Sequence, residues 1–152
     1  MVGACGAPRA RPKIKGPPMF DKKFWISFVA LLVITMTGGF LVHGLWLVPD
    51  YTALGPLMRT PEDAQGYFQF MIFAHVLISA GLAWIYRQGR RDGDWVGQGL
   101  RFGLAIAFVS SIPFFMIYHA VAPFPFDLMV KQIIGDTSTL LLAGLAVAFV
   151  NK

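Results

Sequence analysis

Residues 126–150 read F-D-L-M-V-K-Q-I-I-G-D-T-S-T-L-L-L-A-G-L-A-V-A-F-V. From Leu140 to Val150 there is no polar side chain, whereas the first half carries Lys131, Gln132, Asp136, Thr137, Ser138 and Thr139. An apolar run of this length spells a membrane-crossing helix. Its polar half cannot face lipid on all sides, so one stripe must face protein or water. Asp127 and Lys131 stand four apart with the acid first, the favourable order for a helical pair. Gln132 and Asp136 are also four apart and share a second stripe, which Thr139 and Ala143 continue. Counting from Leu128, Asp136 lies roughly 12 Å into the apolar layer at about 1.5 Å per residue. A carboxylate there costs about 2.5–3.5 kcal/mol, so it needs a partner.

Working outward, three more spans appear. The spacing predicts helices over about 24–48, 67–86 and 102–121, with the fourth over 128–150. The chain of 152 residues is 56% hydrophobic and 14% charged, which excludes a disordered chain and an ordinary soluble domain. The expected fold is an all-α integral membrane protein, a four-transmembrane-helix bundle running up-down-up-down through short connections. Residues 1–23 form a basic, Pro/Gly-rich arm that reads as disordered, and Met19 offers a second translation start just ahead of the first span. Thr60 before Pro61-Glu62-Asp63 reads as an N-cap with Pro at the first helical position, so a short helix should precede the second span. Pro49-Asp50 should end the first span, and Pro113 should kink the third and free a carbonyl near Val109.

Orientation follows from charge. With the N-terminus inside, Arg9, Arg11, Lys13, Lys15, Lys22, Lys23, Arg87, Arg90, Arg91, Arg101 and Lys152 fall on one side, against Arg59 and Lys131 on the other. Basic residues accumulate on the cytoplasmic side, so both termini are expected there. Trp25, Trp84, Tyr86 and Trp95 would mark the inner interface, and Trp46, Tyr51, Tyr67 and Tyr118 the outer one. The net charge of +5 is then a matter of topology and attraction to anionic lipid, and nucleic acid is not an expected partner.

Chemistry-bearing residues are few. The lone cysteine, Cys5, allows neither an internal disulfide nor a Cys-based metal motif. Gly97, Gly99 and Gly103 imitate a dinucleotide fingerprint, but no strand precedes them and the third glycine stands one place too far on. No G-x-S-x-G, S-x-x-K or H-E-x-x-H occurs, so a hydrolase is not indicated and no catalytic residue is assigned. There remain His43, His75 and His119, one on each of the first three spans, and Asp136 on the fourth. With Ser79 and Gln132 they are the candidates for handling a ligand or protons. His75 and Asp136 lie at matching depth, so His75 with Ser79 is the partner set expected for Asp136.

Three readings follow from these groups. As hydrogen-bonding glue they would serve a non-enzymatic structural or accessory subunit of a membrane assembly, its partners the lipid bilayer and another membrane protein or a second copy. As a polar cavity open to the outer face they would bind a ligand or pass protons. As metal or haem ligands, His43 and His119 would be axial, with Met36, Met71 and Met116 weaker candidates. No His/Glu pair at i, i+3 or i, i+4 supports a carboxylate di-metal site, and neither metal nor cofactor is assigned.

The stretches A-W-I-Y-R-Q-G-R (83–90) and Q-G-L-R-F-G (98–103), in this layout, resemble small four-helix bacterial inner-membrane proteins of uncharacterised families. The resemblance covers about residues 20–152. It implies the fold and the inner membrane as location, but no activity and no functional residues.

Overall fold

A computed structural model describes residues 20–91 and 93–152; most of the basic arm lies outside the described residues. Among the described residues there are seven α-helices and no strand. Helix α1 spans Lys22–Gly39 and runs without a break into a π-helical stretch, Phe40–Trp46. Short helices follow, α2 at Val48–Ala53 and α3 at Pro61–Gln65. The remainder is α4 at Phe68–Gly89, α5 at Trp95–Val109, α6 at Ser111–Val121 and α7 at Phe126–Val150. Four stretches are long and apolar enough to cross a membrane: Lys22–Trp46, Phe68–Gly89, Trp95–Val121 and Phe126–Val150.

The α7 span is the hub. It packs along α1 on one side and along α5 and α6 on the other, while α4 leans mainly on α1. The second and third spans therefore meet little, through Tyr86 and Phe102, and a gap separates them elsewhere. Large apolar side chains such as Val33, Phe73, Val109 and Leu142 point outward, the inverse of a water-soluble bundle.

Local chemistry explains the element ends. Asp21 caps α1, accepting from Phe24 N at 2.9 Å, and also takes Arg87 from the end of α4 (Nη2 to Oδ2, 2.9 Å). The Arg87 hydrogen bonds hold the Asp21 carboxyl well below the usual carboxylate range. Thr60 accepts from Asp63 N as expected and caps α3. The third span begins at Trp95, seven residues ahead of the expected start, because Asp94 caps it through Gly97 N at 2.7 Å. Glycines in that turn read as a loop. Each costs roughly 1 kcal/mol relative to alanine in a helix, and close packing offsets this here. A Cβ at Gly103 would stand 2.5 Å from the Leu140 carbonyl oxygen, and one at Gly99 would stand 2.8 Å from that of Gly144. Gly99 and Gly103 are thus a small-x-x-x-small contact that lets two backbones touch.

The third span breaks at Ser110, whose ψ is −88°. Pro113 cannot bond to Val109, as its position predicts, and Ser110 Oγ turns back to the Ile106 carbonyl at 2.7 Å. The first span ends at Trp46, two residues short of the expected Val48 and just ahead of Pro49. That proline sits in the first turn of α2, where a missing N–H is no loss.

Two apolar regions hold the spans together. One joins Phe24, Leu31, Leu82, Ala83, Tyr86, Ala143, Val147 and Ala148; the other joins Val42, Leu47 and Leu128. Tyr86, read from sequence as an interface aromatic, is buried in the first region with its ring edge-on to Phe102. Asn151 fastens that end by donating to Ser27 Oγ and to the Val147 carbonyl, both at 2.8 Å.

Candidate functional site

Between the two apolar regions the spans do not close, and a cavity of about 890 Å³ remains. Its floor is α1 and α7, through Thr35, Gly39, His43, Asp136 and Thr139. The second and third spans form its walls, and the gap between them is its mouth. The rim is apolar: Leu77 and Ile78 on α4, Val109, Phe114 and Ile117 on the third span, all exposed. Cavities of about 300–1,000 Å³ with apolar walls and a few convergent polar groups are typical small-molecule sites.

The polar end is built from α1 outward. The π-helical stretch, with Leu47 N bonded to the Val42 carbonyl at 2.9 Å, places an extra residue in the turn that carries His43. It also turns α2 back over the histidine. The Tyr51 ring stacks on the His43 ring, 6.0 Å between centroids. Tyr51 Oη lies 2.5 Å from His43 Nδ1, and His43 Nε2 lies 2.9 Å from Asp136 Oδ1. Gln132, one turn before Asp136, donates its Nε2–H to the Tyr51 oxygen at 3.1 Å.

This chain has one consistent direction. The phenol oxygen receives the Gln132 hydrogen, so its own hydrogen goes to His43 Nδ1. The ring N–H of His43 then sits on Nε2 and is given to Asp136. Burial pushes the Tyr51 phenol up, which keeps it a donor, while the Gln132 hydrogen bond acts the other way. Outside this network Lys131 links Asp50 at 2.6 Å and Asp127 at 3.5 Å, locking α2 to α7. Asp127–Lys131 is the pair expected from spacing.

His75 is not the partner of Asp136. His43 takes that place, because it is α1 and not α4 that runs along α7. His75 lines the same cavity, with its ring edge over Gly39, where a Cβ would stand 3.3 Å from Cε1. Its Nδ1 is buried and has no hydrogen-bond partner. Ser79, expected beside it, is buried and pairs with Thr35 Oγ1 at 3.4 Å, joining α4 to α1. His119 lies apart: its Nδ1 donates to the Phe124 carbonyl at 2.6 Å and fixes the turn into α7. The structure thus gathers His43, His75, Gln132 and Asp136 about one place and leaves Ser79 and His119 in structural bonds.

Both ring nitrogens of His43 are engaged by protein, one by Tyr51 and one by Asp136. Among the described residues no group of three or more His, Cys, Asp or Glu side chains is placed to hold a metal ion. Tyr51 was legible only as an outer-interface aromatic. Gly81, on the α4 wall of the cavity, gave no signal of its own. No protein-family model, curated protein or solved structure matches the chain.

Proposed function

We propose that this four-span protein binds a lipid-soluble small molecule in the cavity beneath the gap between its second and third spans. The observation that carries this reading is the pairing of a large apolar chamber with a polar end made by His43, His75 and Asp136. A molecule entering from the bilayer would find an apolar path past Leu77 and Val109 and a hydrogen-bonding stop at the far end. No reaction is part of this reading.

Gly81 supplies the test. It lines the cavity, and a Cβ added there meets nothing within 4 Å. Gly81→Phe should therefore fill the chamber while leaving the helices in place. Wild type and variant are purified in mild detergent, and their solvent extracts are compared by mass spectrometry. A compound retained by wild type and lost from Gly81→Phe is the expected result; identical extracts sink the reading. The second reading is a structural or accessory subunit, in which an apolar helix of another membrane protein or of a second copy covers the same lateral mouth. In that case the variant loses a stoichiometric protein instead of a small molecule.

The same proposal places the chain in a bacterial inner membrane as an up-down-up-down bundle with both termini cytoplasmic. Support comes from the uneven distribution of Lys and Arg. The contacts Asp21–Arg87 and Lys23 Nζ to the Lys152 carbonyl agree, since they put the start of the first span beside the ends of the second and fourth. A phosphatase reporter fused after Lys152 should be silent; activity, which requires the periplasm, would reverse the orientation.

A further inference from the structure

We propose that the head group held at the polar end of the cavity is uncharged and both gives and takes one hydrogen bond, a hydroxyl being the smallest head that does so. This rests on the reading of the cavity as a small-molecule site. Asp136 receives His43 on Oδ1 and is still 28% exposed, in a cavity it lines. A carboxylate has about four acceptor positions, so Asp136 offers the occupant an acceptor. His75 offers the opposite. Its Nδ1 is buried without a partner. A hydrogen on Nδ1 would be a buried orphan donor, so the ring hydrogen belongs on Nε2. Nε2 is left to donate into the cavity that His75 lines.

The site therefore asks for one hydrogen to Asp136 and one lone pair to His75. A hydroxyl carries both functions on one atom. An ammonium has no lone pair for His75. A carboxylate or phosphate has no hydrogen for Asp136 and brings like charge to it, and among the described residues no Lys or Arg lines the cavity to compensate. A bare ketone or ester lacks the hydrogen. Phe114, Phe115 and the aliphatic walls then hold the apolar body.

The test uses three compounds with one chain and different heads: farnesol, farnesylamine and farnesoic acid. Tritiated farnesol is bound to the full-length protein in lipid nanodiscs, and each unlabelled compound is used to displace it at neutral pH. Farnesol should compete at a concentration about tenfold or more below either charged analogue, because each of those leaves one buried group unpaired. His75→Leu should weaken farnesol about tenfold and leave farnesylamine unchanged, while His75→Gln, which keeps a donor, should retain farnesol binding. Equal or better competition by the amine or the acid overturns the head assignment, as does an unaltered farnesol affinity in His75→Leu. Farnesol binding that is the same in wild type and Gly81→Phe, or no saturable binding of any of the three, overturns the cavity reading itself. The two failures are thus read from different variants.

Discussion

Gly103→Ala should destabilise the protein by about 2–3 kcal/mol, the upper part of the range for overpacking, whereas the same change at Gly81 should be neutral or stabilising by up to about 1 kcal/mol. Both glycines sit inside helices long and apolar enough to cross a membrane, and alanine is the better helix former at each. They differ in what a methyl group meets. At Gly103 the added carbon would lie 2.5 Å from the Leu140 carbonyl oxygen and 2.8 Å from Leu141 Cα. These are backbone atoms of α7 and cannot rotate away, so α5 as a whole must back off. Gly99 and Gly144 sit in the same contact, and a Cβ at Gly144 would approach Gly103 N to 2.9 Å. Separating the helices there forfeits dispersion contacts along their length, and in lipid dispersion is a principal force joining helices. At Gly81 the carbon enters open space. Thermal unfolding in detergent, followed by circular dichroism, compares the two. Equal melting temperatures for Gly103→Ala and Gly81→Ala would show that the third and fourth spans do not touch through their backbones.

The same glycines show where a sequence reading reaches its limit. Four spans, the Thr60 cap and the disturbance around Pro113 were all legible, because each follows from hydropathy, capping or a missing N–H within a few residues of chain. The early start of the third span was not. Gly97 and Gly99 argue locally for a loop, and only the α7 backbone, more than forty positions further along the chain, turns the cost at Gly99 into contact. The spacing G-x-x-x-G from Gly99 to Gly103 was the available signal. The site divides in the same way. His43, His75, Gln132 and Asp136 stood out because polar groups inside an apolar span are costly. Their pairing did not, since it depends on which helices are neighbours and on a π-helical turn at Phe40–Trp46 that local propensity does not announce. Tyr51 enters the network only because that turn folds α2 back over His43.

The pairing of His43 with Asp136 has a thermodynamic signature distinct from the pairing that depth alone suggested. Asp136→Leu removes the acceptor of the His43 N–H and costs about 2 kcal/mol, for a buried donor left without a partner. His43→Phe removes the donor to Asp136 and the acceptor of the Tyr51 hydroxyl, and costs a similar amount, about 2–3 kcal/mol. In the double variant the Asp136 carboxylate and the His43 ring are both gone, and the residual loss is the Tyr51 hydroxyl, still bonded by Gln132. The double variant should then be less damaged than the sum of the singles, by about 1–2 kcal/mol, the upper end for interhelical hydrogen bonds in membranes. The pair is about one-third exposed to the cavity, which keeps the figure below that of a fully buried ion pair. His75→Phe combined with Asp136→Leu provides the contrast. No hydrogen bond joins these two side chains, so their effects should add within about 0.5 kcal/mol. Denaturation midpoints of the five variants in one detergent complete both cycles. A coupling that appears between His75 and Asp136 and is missing between His43 and Asp136 would return the carboxylate to α4, and the chain from Gln132 through Tyr51 and His43 would lose its end.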